Sequence, residues 1–68
     1  MNLRLRRFST EFGHLMERLI AFYSADEALR WMRTEHGAFG MTPSRMIWNG
    51  RAAEVEAEIQ RLESGAFV

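Results

Sequence analysis

The sequence lacks cysteine and lysine altogether among its 68 residues. Without cysteine, neither a disulfide framework nor a thiolate metal site can reinforce the fold. No apolar run approaches the ~20 residues that a membrane-spanning helix needs. The N-terminal arginines are followed by Glu11, His14, Glu17 and Arg18 rather than by an apolar stretch, so the pattern of a signal peptide is missing. We therefore expect a cytoplasmic protein that does not enter a membrane.

The apolar content is high for so short a chain. Hydrophobic residues make up 47% of it, including five Phe, two Trp and five Met. The length allows one domain at most, and a domain of this size buries only about 60% of the surface of its unfolded chain. An isolated monomer is therefore expected to be marginally stable, and a second copy or a partner is expected to cover part of the apolar surface.

The charges balance overall but are unevenly distributed. Nine Arg are matched by nine acidic residues, which is not the usual charge pattern of a nucleic-acid-binding protein. Residues 1–34 carry six Arg and four acids, whereas residues 35–68 carry three Arg and five acids. The first half is therefore mildly basic and the second half mildly acidic.

A broad apolar stripe at helical spacing predicts a first helix over residues 10–23. Ser9 or Thr10 is the expected N-cap, and the residues before them are expected to form a basic arm. A glycine at position 13 weakens this helix, since glycine costs roughly 1 kcal/mol relative to alanine in a helix interior.

Two further start signals divide the rest of the chain. Ser24 followed three residues later by Glu27 is a capping box, which predicts a second helix over residues 25–34. Thr42 before a proline predicts a short third helix over residues 43–48, because proline is well tolerated at the first helical position.

A fourth helix is predicted from Arg51 to a stop at Gly65, and residues 35–41, with two glycines and no periodicity, are predicted to form a loop. Trp31 lies off the apolar stripe of the second helix. It is expected to pack under the following loop or, alternatively, to act as a contact anchor. The predicted fold is all-α: a small bundle of four short helices, divided into an N-terminal arm and amphipathic helix (1–24) and a helical domain (25–68).

No set of residues has the spacing of a catalytic, cofactor or metal site. His14 and His36 are far apart and lack a partner ligand nearby. Glu54 and Glu58 lie on one helical face but are interleaved with arginines, which is typical of a solvated helix. We therefore expect no enzymatic activity and no cofactor.

From residue 28 onward, an ordered set of short motifs runs along the chain: Ala28-Leu29-Arg30-Trp31-Met32, Phe39-Gly40-Met41-Thr42-Pro43, Gly50, Val55, Leu62 and Gly65. This set resembles the toxin-binding C-terminal domain of Xre/MbcA/ParS-type antitoxins, and the resemblance covers about two-thirds of the chain. Met32 and Phe39 depart from the residues common in that family, and the N-terminal helix-turn-helix domain of many members has no counterpart here.

The resemblance implies a bacterial type II antitoxin that occludes the NAD pocket of a cognate toxin, either of the RES class or a related ADP-ribosyltransferase. It places the candidate plug at the C-terminal end, with charged residues of the last helix beside it. The implied partner-binding residues are Arg51, Glu54, Glu58, Glu63, Phe67 and Val68. The alternative for Phe67 is that it folds back to cap the small core.

Two other functions remain open from the residues alone. Phe12, Leu15 and Leu19 on the apolar stripe of the first helix are the expected interface of a homodimer, and the simpler alternative is that the stripe forms the core of a single chain. One of the other functions is a structural dimerisation module with no inhibitory role. The basic residues at positions 4, 6 and 7 suggest a small DNA-associated regulator. Nucleic-acid binding is not expected without a helix-turn-helix domain.

Overall fold

The fold consists of α-helices packed around one core. A computed structural model describes residues 2–65 and has α1 (Leu3–Leu19), α2 (Ala25–Arg33), α3 (Pro43–Trp48) and α4 (Ala52–Gly65). Within the described residues the only extended pairing is an isolated antiparallel bridge between His36 and Met41, in the loop before α3. The predicted all-α bundle of four short helices is confirmed.

The helix α1 begins seven residues earlier than predicted. Asn2 is its N-cap, and the Asn2 side chain accepts hydrogen bonds from the backbone N–H groups of Arg4 and Leu5 at 3.0 and 3.2 Å. Leu and Arg are good helix formers, so the basic segment continues the helix rather than preceding it. The predicted cap at Ser9 or Thr10 is wrong: Thr10 Oγ1 donates to the carbonyl of Arg6 within the helix, at 3.0 Å.

The end of α1 also differs from the prediction, since the helix stops at Leu19 and a turn leads into α2. The backbone N–H of Tyr23 donates to the Leu19 carbonyl at 2.9 Å in this turn. The predicted capping box at the start of α2 is confirmed. Glu27 Oε1 accepts from Ser24 N at 2.9 Å, and Ser24 Oγ accepts from Glu27 N at 3.1 Å.

The helix α3 has only six residues and matches its predicted bounds. Thr42 Oγ1 accepts from the backbone N–H of Arg45 at 3.2 Å, and Pro43 occupies the first turn. Ser44 Oγ donates to the Met32 carbonyl of α2 at 2.8 Å. After α3, Gly50 turns the chain towards α4 with a φ of +80°, a left-handed conformation that favours glycine.

The core lies where α3 meets all of the other three helices. Burial of these apolar side chains is the main favourable contribution to folding. The core residues, each no more than 3% exposed, are Leu15, Leu19, Ala28, Met32, Met46, Ile47, Val55 and Ile59.

The predicted packing of Trp31 against the loop before α3 is confirmed. The ring centroids of Trp31 and His36 lie 4.8 Å apart, and His36 Nε2 is 2.9 Å from the Trp31 carbonyl oxygen. Phe39 makes an edge contact with His36 at 6.3 Å between centroids. The loop is therefore held on the end of α2 by a stack of rings.

A first prediction concerns the core. Ile59→Ala should lower the free energy of unfolding by about 2–5 kcal/mol, because it opens a cavity among fully buried side chains. Ile59→Val, at about 0.5–1.5 kcal/mol, gives a milder measurement if the alanine variant unfolds. The control is Gln60→Ala, at the exposed neighbouring position, with an expected change within about 0.5 kcal/mol. Urea denaturation followed by circular dichroism measures all three; equal effects at positions 59 and 60 would contradict this core.

A second prediction makes the same substitution at two glycines and expects opposite signs. Gly13 lies inside α1, and an added Cβ would meet nothing within 4 Å, so Gly13→Ala should stabilise the chain by about 0.5–1 kcal/mol. At Gly50 there is equal room, but the φ of +80° makes Gly50→Ala cost about 1–2 kcal/mol. Thermal unfolding of both variants checks the pair, and a shift of the same sign in both would refute the assigned backbone conformations.

Candidate partner-binding surface

The beginning of α4 presents an exposed ion pair that includes two of the predicted partner-binding residues. Arg51 Nε donates to Glu54 Oε2 at 2.7 Å, and Arg51 Nη2 donates to Glu54 Oε1 at 2.8 Å. This two-point hydrogen bond from Arg51 lowers the pKa of Glu54. The pair therefore presents charged side chains on the outer side of the helix at neutral pH.

One turn further along α4, Glu58 is held by Arg61. Arg61 Nε donates to Glu58 Oε2 at 3.1 Å, and a second bond joins Nη2 to Oε1. The hydrogen bond from Arg61 is the main cause that lowers the pKa of Glu58, and the positive charge of Arg61 and of His36 adds to it. Arg51, Glu54, Glu58 and Arg61 are therefore called the α4 charged face.

Glu63 has a different role from the other predicted partner residues. Its Oε1 accepts from Arg18 Nη2 of α1 at 2.6 Å, and Glu56 Oε2 lies 3.7 Å from Arg18 Nη1. The hydrogen bond that Arg18 donates to Glu63 raises the pKa of Arg18. Glu63 thus ties α4 to α1, while Phe67 and Val68 lie outside the described residues.

Two of the three predicted dimer-interface residues lie in the core of a single chain. Leu15 is 3% exposed and Leu19 is fully buried, so neither side chain is available to a second copy in this conformation. Phe12 is only partly buried and packs against the core, with its ring 5.5 Å from that of Phe8. The three residues therefore do not form one exposed patch.

A groove between the start of α1 and the end of α3 was not anticipated from the sequence. It has a volume of about 380 Å³. Arg4 crosses it: its guanidinium carbon lies 4.2 Å from the centre of the Trp48 ring, and its Nε donates to the Trp48 carbonyl at 3.1 Å. Phe8 makes an edge contact with Trp48 at 5.6 Å between centroids. We call it the basic-aromatic groove; it is lined by Leu3, Arg4, Arg7, Phe8, Glu11, Ile47, Trp48, Asn49 and Gly50.

The sequence held one signal for this groove. Arg4 and Phe8 are four residues apart, a spacing that places them on one helical face, but only if α1 is extended to include both. The helix predicted over residues 10–23 does not include Arg4 or Phe8, so it does not predict this face.

Over residues 2–65, no group of three or more His, Cys, Asp and Glu side chains is arranged to hold a metal ion. In the same range no helix is long and apolar enough to cross a membrane. His14 is exposed on α1, and His36 is engaged with Trp31.

No family model matches the chain, and no match was found among curated proteins or among solved structures.

A third prediction concerns pH. Since the folded state lowers the pKa of Glu27, Glu54 and Glu58 below 4.5, it binds fewer protons than the unfolded state in that range. Their contribution to stability is therefore present above about pH 4.5 and is lost as pH falls through the lowered values. Glu58→Gln should be less stable than the parent chain at pH 7 and nearly equal to it at pH 3.

Urea denaturation at the two pH values measures this difference. Arg61→Gln is the matched variant, because it removes the other half of the same pair. The double variant should lose little more than either single one, since both remove the same interaction. A Glu58→Gln effect that is as large at pH 3 as at pH 7 would show that the carboxylate charge is not the cause.

Proposed function

We propose that the chain is an antitoxin-like, non-catalytic protein that binds a cognate NAD-consuming toxin and occludes its active site. The toxin class, the RES type or a related ADP-ribosyltransferase, comes from the sequence resemblance. The observation that carries the proposal is that several of the residues bearing this resemblance occupy positions that suit their residue types. Ala28 and Val55 are fully buried, Trp31 stacks on the loop, and Gly50 has a positive φ.

These residue types are compatible with the helices and turns in which they lie. A buried alanine allows α2 to approach the core closely, and a larger residue would overpack it. The proline at position 43 suits the first turn of α3, where its missing N–H has no intrahelical partner to lose. The residues that carry the resemblance therefore suit the helices in which they lie. The proposed partner-binding residues are charged side chains of α4 that do not take part in the core.

The α4 charged face is the proposed contact surface. Its arginines and glutamates are fixed by their mutual hydrogen bonds, so a partner does not need to order these long side chains on binding. Complementary charges on the toxin would set the register and the rate of association more than the affinity. An apolar anchor is needed for affinity, and Phe67 is the proposed one.

A fourth prediction tests the complex. Co-expression with the product of the adjacent gene should give a stable complex, and adding the chain should suppress NAD loss by that toxin. Exchanging the pair, as Arg51→Glu with Glu54→Arg, should weaken the complex about tenfold or more, because it reverses the local field while keeping an internal pair. Glu17→Arg, on the exposed side of α1, is the charge-reversal control and should leave binding unchanged.

A deletion of residues 66–68 separates the two expectations for Phe67. Loss of NAD protection with an unchanged melting temperature supports the plug. A lower melting temperature with protection retained supports Phe67 as a cap on the core. If no complex forms, and if the toxin consumes NAD equally with and without the chain, the antitoxin proposal is wrong.

A further inference from the structure

We propose that the basic-aromatic groove is a second binding surface, which takes an acidic peptide segment of a protein partner through carboxylates placed beside an apolar side chain. This surface goes beyond the proposed antitoxin function. It is built from the start of α1 and the end of α3, and it does not include the α4 charged face.

The apolar part of the groove is already accessible to a ligand. Leu3 is 72% exposed and lines the groove together with the partly buried rings of Phe8 and Trp48. An isolated exposed leucine is ordinary, but a leucine adjoining two aromatic rings in one concave surface forms a continuous apolar contact area. An aliphatic or aromatic side chain of a partner would bury that area, and the removal of apolar surface from water favours binding.

The charged part of the groove is fixed in position. Arg4 is held by its hydrogen bond to the Trp48 carbonyl at 3.1 Å, by the Trp48 ring beneath it, and by Asn49 Oδ1 at 3.5 Å from its Nη2. Two of its N–H groups are used in this way, and a guanidinium has five. The remaining donors suit a carboxylate, which arginine can bind in a two-point geometry.

Arg7 adds a second positive charge to the same groove. Its side chain is 76% exposed, and its separation of 3.8 Å from Glu11 is long for an ion pair. The first turn of α1 contains no acidic residue, so no carboxylate there offsets the positive end of the helix dipole. Two arginines, Arg4 and Arg7, face the single carboxylate of Glu11 in the groove, so its net charge is positive and favours an acidic ligand.

The same residues argue against nucleic acid as the ligand. The chain as a whole carries no net positive charge, and the two arginines of the groove make a short basic patch rather than the extended track that a nucleic-acid backbone follows. Stacked bases need an open aromatic face, whereas Trp48 has Arg4 over its ring and Phe8 in edge contact. A peptide needs neither an open ring nor an extended basic track.

A second copy of the chain is also a poor fit. The acidic side chains of α4 are already bound by arginines of their own chain: Glu54 by Arg51, and Glu63 by Arg18. Docking them into the groove of another copy would break those pairs. A separate protein that offers unpaired carboxylates has no such cost.

The fifth prediction uses the full chain, labelled with ¹⁵N, and a short synthetic peptide in which glutamates alternate with leucine and phenylalanine. In two-dimensional NMR the two tryptophans give separate indole N–H signals, and Trp48→Phe identifies which is which. Titration with the peptide should shift the Trp48 signal and leave that of Trp31 in place, because Trp31 packs on the loop at the end of α2. A peptide with lysines in place of the glutamates should shift neither.

Two charge reversals provide the matched variants. Arg7→Glu should weaken peptide binding about tenfold or more, since it places like charges together. Arg33→Glu, an equal charge change at an exposed position of α2, should leave binding unchanged. Circular dichroism of both variants verifies that each is folded.

The proposal is overturned if the peptide leaves the Trp48 signal unmoved, or if both variants weaken binding equally. Tighter binding of a single-stranded oligonucleotide or of anionic lipid vesicles than of the peptide would also overturn it. The toxin takes no part in these measurements, so their outcome is independent of the NAD assay.

Discussion

The burial of Met46 and Ile47 is the interaction on which the rest of the fold depends. Both lie in α3, which has six residues and is far too short to be stable by itself in water. The helix persists because these side chains enter the core while its ends are held from outside, by Thr42 at its start and by Arg4 at its last carbonyl. Since α3 contacts each of the other helices, losing it would remove contacts with all three and leave α2 and α4 connected only through α1.

The helix starts that could be predicted from the sequence are those whose N-cap interactions involve residues close together in the chain. Ser24 with Glu27 contains both halves of its hydrogen-bond pair within four residues, and the helix after Thr42 begins with a proline. The start of α1 could not be predicted from such a local capping pattern. Its Asn2 cap precedes alternating leucines and arginines that resemble an extended arm, and the contact that fixes this segment is between Arg4 and Trp48, 44 residues apart.

The same distinction applies to the candidate surface. The ion pair of Arg51 and Glu54 at the start of α4 could be predicted from their spacing, because residues three apart on a helix are neighbours. The hydrogen bond between Arg18 and Glu63 could not be predicted, since it joins residues 45 positions apart. Nor could the apolar stripe of α1 tell a core from a dimer interface. Its period is the same in both cases, and only the packing of α3 and α4 over it places Leu15 and Leu19 in the core.

A chain with no net charge can still present surfaces of different charge. In this chain, the positions of the ion pairs determine where those surfaces lie. The carboxylates of α4 are largely matched by arginines on α4 or α1, which leaves a mixed face of fixed ion pairs. The start of α1 has no acidic residue in its first turn. Attraction between exposed charges is weakened beyond about 8 Å at physiological ionic strength, so these charges affect the rate at which a partner arrives more than which partner stays bound. Selectivity at both must come from contact, where an apolar side chain is buried beside a charge already held in place.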